Sequence, residues 1–217
     1  AVRNTIMLID PSGKADVASD HTGIVCISLG SDKHGYITYG RRMLITDMAL
    51  ANWIIDNAPT YMPDMIAVED NKFNVIRELL ELLIADRLRR RQVLKENIEY
   101  IKTLPYILME AKPRGRNKAM RIRNASGLVE NGTMLLPHRG AEDLEEEMIR
   151  YPSTKDDVVD AFAYILDYMH FPGTEDPPKV LELSADEKMT SEEREEEAWD
   201  NVAEAAYATV SPMVGWR

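Results

Sequence analysis

The chain holds a single cysteine, Cys26, set in the apolar run Ile24-Val25-Cys26-Ile27. That excludes an intrachain disulfide and predicts a buried structural thiol in a reducing compartment. No apolar run is long enough to span a bilayer. The first residues lack the basic, apolar and small-residue succession of a signal peptide. The chain enters a strand almost at once from Ala1, as an excised or processed segment would. The histidines His21, His34, His138 and His170 show no zinc-ligand spacing. Ser12-Gly13-Lys14 ends like a phosphate-binding loop but lacks the upstream glycine and the following Ser or Thr, which excludes ATP binding there. There is no nucleophile-elbow signature for Ser-His-Asp chemistry, and no internal repeat.

What is present suits one globular domain with an appendage. The 217 residues are 45% hydrophobic and 29% charged. The net charge of −11 is unevenly spread: residues 174–217 carry twelve acids and four bases (−8), and residues 1–173 carry 25 acids and 22 bases (−3). Lys112, Arg114, Arg116, Lys118, Arg121 and Arg123 fall in one stretch without an acid, and Arg87, Arg89, Arg90 and Arg91 form a second basic run. Local patches govern phosphate binding more than net charge does. The second run reads mainly as a solvated helix end.

The periodicity predicts strands at 4–10, 22–30 and 35–44, the last two joined as a hairpin through Ser31-Asp32-Lys33-His34. A helix capped by Thr46 or Asp47 follows and ends at Pro59 and Pro63. Further strands are expected at 65–69, 106–109 and 133–136, with helices at 73–91, 117–127, 142–150 and 153–170. Strands first, then alternating helices and strands, imply an α/β domain with a mixed sheet of about five main strands. Beyond Pro172, Pro177-Pro178 and the acid-rich 184–200 read as a linker and a solvated tail, disordered or docked on something else.

Three acidic clusters stand out against this frame. Asp10 ends the run Thr5-Ile6-Met7-Leu8-Ile9, Glu69-Asp70 ends Met65-Ile66-Ala67-Val68, and Asp156, Asp157 and Asp160 open the last helix. Each has a purely structural reading. Asp10 before Pro11 can start a turn, and Ser153 or Thr154 with an acid three residues on resembles a capping box. Capping does not call for Asp160 as well, and turn chemistry explains Glu69-Asp70 poorly. Three acidic clusters at element ends are what hard divalent cations need, since these take oxygen ligands and bind one carboxylate weakly. Brought together, they would hold two ions about 4 Å apart for in-line attack on a phosphodiester.

In that order, a strand ending Asp-Pro, a strand ending Glu-Asp, Lys118-Ala-Met-Arg-Ile-Arg, Gly132-Thr-Met-Leu-Leu-Pro137, Leu144-Glu-Glu-Glu-Met-Ile-Arg-Tyr-Pro-Ser153 and Lys155-Asp-Asp-Val-Val-Asp-Ala-Phe-Ala-Tyr resemble the nuclease domain of tailed-phage terminase large subunits. The resemblance spans roughly 4–170. It implies a ribonuclease H-like fold and an endonuclease using two Mg²⁺ or Mn²⁺ ions to cut concatemeric viral double-stranded DNA during packaging in the host cytoplasm. Asp10, Glu69 and Asp157 match the catalytic acids, with Asp70 as the rival to Glu69 for metal ligation and Asp156 and Asp160 as supporting metal ligands. Many members have His where this chain has Lys155, so no histidine role carries over there. Lys112, Arg114, Arg116, Lys118 and Arg121 would hold backbone phosphates, with low sequence specificity. The implied partners are an ATPase motor domain of the full-length protein, absent from this segment, a small terminase subunit and the procapsid portal, with no membrane.

Two other readings stay open. A Holliday-junction resolvase or transposase-like enzyme would keep the fold and prefer branched substrates. A non-catalytic interaction domain, with the acidic tail as its working part, would bind no divalent metal.

Overall fold

The computed structural model describes residues 3–12, 21–112, 117–152 and 155–171. Gly13 and Lys14, Arg114 and Arg116, Ser153 and Thr154, and the acidic tail expected over 174–217 lie outside them. Among the described residues six strands form one mixed sheet: β1 (Arg3–Asp10), β2 (Thr22–Gly30), β3 (Gly35–Met43), β4 (Met65–Glu69), β5 (Leu108–Ala111) and β6 (Met134–Leu135), in the order β5-β4-β1-β2-β3-β6. β2 runs antiparallel to β1 and β3, whereas β4 is parallel to β1 and β5 to β4. The α/β mixed sheet flanked by helices is the architecture expected from the element order.

Strand alternation divides the core into two layers. Ile6 and Leu8 of β1, with Val25, Ile27 and Leu29 of β2, face a cluster built from α4 (Lys118–Glu130), α5 (Glu142–Arg150), α6 (Asp157–Ala163) and α7 (Ile165–Tyr168). Met7, Ile9, Ile24 and Cys26 face the opposite layer of α1 (Asp47–Tyr61), α2 (Asp70–Arg89) and α3 (Ile98–Thr103). Successive side chains of a strand point to opposite faces, and each fully buried Ile or Leu contributes about 1.5–3 kcal/mol. β2 is buried along its whole length, so Cys26 is the buried thiol expected from its apolar run.

The element boundaries carry information. Thr46 caps α1 by accepting from the Ala49 amide at 3.2 Å. Pro59 lies inside the last turn of α1 rather than ending it, and the helix closes at Met62, whose left-handed backbone (φ 47°) donates to Ala58. α2 begins at Asp70, directly after β4 and earlier than its apolar pattern suggests, because Glu69 already adopts the N-cap conformation. β5 lies two residues later than expected: Tyr106 and Ile107 are held in a turn by the Thr103 carbonyl, and Tyr106 is exposed. α3 and the 3₁₀ turn before it (Lys95–Asn97) are too short for a hydrophobic period to reveal. The last helix, expected over 153–170, is two pieces, because the backbone tightens where Tyr164 N–H bonds Ala161 and Asp167 N–H bonds Tyr164. The Arg87 run is taken up within the fold: Arg87 pairs with Asp56 and donates to Asn52 at 2.6 Å across α1 and α2, while Arg89 and Arg90 pair with Asp86. No helix among the described residues is long and apolar enough to cross a membrane.

Gly23 sets the depth at which α6 lies on the sheet. A Cβ there would stand 2.1 Å from the carbonyl oxygen of Asp157 and 3.0 Å from Val158 Cα. These are backbone atoms and cannot rotate aside. Gly23→Ala must therefore lift the first turn of α6, and overpacking of this kind costs about 1–3 kcal/mol. Urea unfolding of the variant reads this directly, and an unchanged midpoint would mean that α6 does not press on β2.

Candidate metal centre

The alternation that sorts the core also aims the acids. Asp10 follows Ile6 and Leu8 on the α6-facing side of β1, and Glu69 follows Ala67 on the same side of β4. The two strands are parallel with Ile9 beside Val68, so Asp10 and Glu69 leave the sheet together at its carboxyl end. Their side chains are hydrogen-bonded. Burial, the bond to Glu69 and the negative charges of Glu69 and Asp160 push the Asp10 carboxyl up to about 9, with Lys118 acting in the other direction. Asp70, the neighbouring acid, is exposed at the first position of α2. Of the Glu69-Asp70 pair, Glu69 is the one brought to Asp10.

α6 supplies the other half. Gly23, which accommodates its first turn, pairs with Asp10 across β1 and β2. Asp157 therefore starts its helix over the strand register that ends at Asp10. His21 Nδ1 lies 4.0 Å from the Asp157 carboxylate. Asp160, one turn on, is buried. The Ser153 and Thr154 of the capping box considered for this helix lie outside the described residues, and the N-cap Asp156 makes no side-chain capping bond. The amides of Val158 and Val159 instead donate at 2.8 and 3.0 Å to one oxygen of Glu147, from α5.

Two basic residues of α4 meet these acids. Lys118 Nζ lies 3.1 Å from Asp156 and 3.2 Å from Asp160. Although burial works against its charge, the two carboxylates push its ammonium up to about 12. Arg121, expected among the DNA contacts, is placed differently: it is buried, donates to Asp160 at 2.9 Å and stacks 4.9 Å over the Tyr164 ring. Its Nε and Nη1, and the Tyr164 hydroxyl, have no hydrogen-bond partner among the described residues. Burial, and then the charges of Glu69 and Asp10, raise the Tyr164 phenol above its usual range. Lys112 is exposed just beyond β5, whose Ala111 pairs with Glu69, and bonds Glu110 at 2.9 Å. The two other bases expected at DNA, Arg114 and Arg116, lie outside the described residues.

Glu147 and Gly23 are the site residues that pattern reading passed over. Glu147 had a signal: it falls three residues after the buried Leu144, on the apolar face of α5, where an acid needs a partner. Gly23 had none beyond being a glycine within a strand.

As they stand, no three His, Cys, Asp or Glu side chains among the described residues are close enough to hold one ion between them. Charge is relieved here by the raised Asp10 carboxyl, hydrogen-bonded to Glu69, and by Lys118. The donor set nevertheless fits a hard divalent cation in chemistry. It is all carboxylate oxygen, drawn from two strand ends and one helix start, with a proton and an ammonium in the role of counter-charge.

The family model of the terminase RNaseH-like domain matches residues 7–169, most of the chain. The chain belongs to that family. No curated protein sequence matches it. Solved structures with a similar trace include the yeast mitochondrial Holliday junction resolvase Ydc2, at 15% identity and a TM-score of 0.45, covering 74% of this chain and 78% of that one. The human cytomegalovirus terminase nuclease domain, Mn soaked and inhibitor bound, aligns at 15% identity and a TM-score of 0.45 over 76% of this chain and 84% of that one. T. thermophilus RuvC in complex with Holliday junction substrate aligns at 12% identity and a TM-score of 0.37 over 75% and 91%.

The raised Asp10 carboxyl has a definite sign in stability. A folded-state value above the unfolded one means that its stabilising contribution is complete below the ordinary carboxylate range and is lost as pH rises toward about 9. In EDTA the melting temperature should therefore fall between about pH 5 and about pH 9. Asp10→Asn should flatten that slope and melt roughly 4–8 °C above the parent at the alkaline end, the shift expected from about 2 kcal/mol. A variant with the parent's slope would show that Asp10 is not the group titrating.

Proposed function

We propose that this domain is a divalent-metal-dependent endonuclease that hydrolyses double-stranded DNA with little sequence specificity, cutting concatemeric viral DNA during genome packaging. The observation that carries the reading is the meeting of Asp10 and Glu69 at adjacent strand ends, opposite the acid-bearing first turn of α6, in a terminase RNaseH-like chain. Asp10, Glu69 and Asp157 are the proposed ligands. Asp156 and Asp160 stand behind them, tied to Lys118 and Arg121. When bound, Mg²⁺ or Mn²⁺ supplies a water activated for attack and charge stabilisation for the leaving 3′ oxygen. The protein's own part is to hold the ligands: the Asp10 proton must leave before both its oxygens can coordinate, and Arg121 holds Asp160 from behind at 2.9 Å.

The proposed substrate contacts are phosphate contacts, which position a duplex without reading it. Lys112 lies just beyond β5, whose Ala111 pairs with Glu69, and so borders the end of β4 that carries Glu69; Arg114 and Arg116 follow it in the sequence. We place the motor domain, small subunit and portal among the partners on the family's account. The tail over 174–217 is proposed as a docking segment for the portal that the nuclease core does not need.

A plasmid-nicking assay with Mg²⁺, Mn²⁺ and EDTA tests the core of this reading. The parent should nick with either metal and not in EDTA. Asp10→Asn and Asp157→Asn should each lose at least about a hundredfold, as expected when a charged group in the reacting centre is removed, while a chain ending at Gly173 keeps activity and a cooperative melt. Parent-like activity in either Asn variant would remove that residue from the site, and an inactive or insoluble truncation would make the tail part of the core. For the substrate contacts, Lys112→Glu with Arg114→Glu should weaken binding to all duplexes alike. It should also reduce the slope of log affinity against log salt by about 0.9 for each phosphate that is no longer neutralised. Lys118 is left out of that pair because it is bound to Asp156 and Asp160. An unchanged slope would mean that 112–114 does not touch the duplex.

A further inference from the structure

The first turn of α6 poses a problem of competing uses. A helix start leaves amides without partners, and Asp at the N-cap or first position is the residue that ordinarily satisfies them. Here Asp156 is the N-cap and Asp157 the first helical residue. A carboxylate turned back onto its own helix is withdrawn from any other task. The structure resolves the competition with an acid from elsewhere. One oxygen of Glu147 accepts from both Val158 and Val159, and the Glu147 side chain is only 1% exposed. Its other oxygen faces Arg42 of β3, whose Nη1 lies 3.5 Å away. Arg42 also reaches Glu146 at 3.1 Å, and its backbone N–H donates to Asp143 at 3.2 Å. Glu147 is thus fixed from β3 through α5. Asp156, relieved of capping, is bonded to Lys118.

We propose that Glu147 is a positioning residue of the centre: by capping α6 from a neighbouring helix, it holds the first turn against Gly23, over the strand end that carries Asp10, and satisfies the Val158 and Val159 amides without drawing on Asp156, Asp157 or Asp160. This rests on the metal-dependent reading above. Both oxygens of Glu147 are taken up, one by the Val158 and Val159 amides and the other by Arg42, and the polar side chains of the first turn itself are the acids Asp157 and Asp160.

The test compares Mn²⁺ binding by calorimetry with thermal stability in EDTA, for the parent and three variants of the full chain. Glu147→Met keeps the volume and loses the acceptor. It should weaken Mn²⁺ binding about tenfold or more, the range seen when a partner of a metal ligand is removed. Glu147→Gln keeps an oxygen where both amides converge and loses only the charge toward Arg42, so it should bind Mn²⁺ within about threefold of the parent. Glu147→Asp keeps the charge but is one methylene too short to reach both amides, and should bind weakly like the Met variant. A purely structural role would lower the melting temperature of the Met and Asp variants and leave the Mn²⁺ affinity of their folded forms unchanged; that result overturns the proposal. Should the Met variant not fold, parent-like affinity in the Asp variant or weakened affinity in a folded Gln variant overturns it equally. If the parent itself binds no Mn²⁺, the functional reading falls and this inference with it. A parent that binds, beside a Met variant that binds as well, removes the inference alone.

Discussion

Like charges gathered at one end of a sheet dominate this molecule. Asp10 and Glu69 leave adjacent parallel strands on the same face, and Asp160 lies close enough to add to the repulsion on Asp10. Carboxylates at such separations cannot all ionise in a partly buried setting without a counter-charge. The fold answers in three ways: a proton on Asp10, the ammonium of Lys118 between Asp156 and Asp160, and the buried guanidinium of Arg121 on Asp160. Much of the surrounding architecture serves those offsets. α4 lies against α6 with its first turns facing the acids, and the break between α6 and α7 falls at Tyr164, the residue over which Arg121 stacks.

Backbone proximity is the second constraint, and it follows from the first. For α6 to bring its acids to the sheet end, its first turn must approach β2 more closely than any side chain would permit, which is the space left open at Gly23. Among the described residues it is Glu147, from α5, that caps the helix pressed onto the strand at that point. Neither Gly23 nor Glu147 is a candidate ligand, yet the two fix where Asp157 begins.

The layered fold was legible because both β1 and β4 are short apolar runs that stop at acids, and because α1, α2 and α5 carry long apolar periods. Even the choice between Glu69 and Asp70 follows from strand parity once β4 is accepted: Ala67 faces α6, so Glu69 does too, and Asp70 falls to the start of a helix. Boundaries set by local backbone bonds were less legible. The Thr103 carbonyl that holds Tyr106 and Ile107 in a turn delays β5 by two residues, and tightened bonds at Tyr164 divide the last helix. Roles decided by direction rather than composition were not legible at all. Arg121 belongs to a basic run that reads as a phosphate-binding face, but helical periodicity turns it inward beside Ile122 and Ala125, while Lys118 and Arg123 of the same run stay at the surface.

That inward turn explains why position 121 carries arginine and position 118 lysine. Arg121 must bond Asp160 with one nitrogen while its plane lies on Tyr164, a combination open to a flat, permanently charged guanidinium and closed to a tetrahedral ammonium. It is enclosed, with Nε and Nη1 lacking partners among the described residues, so its charge is a fixed part of the fold. Lys118 is a compact charge on a flexible stem, with about half its side chain exposed, and it holds Asp156 and Asp160 from the solvent side. The two cations therefore divide the work. One anchors Asp160 permanently, so that α6 keeps its place. The other offsets Asp156 and Asp160 together from the solvent side, where a flexible stem can reach both.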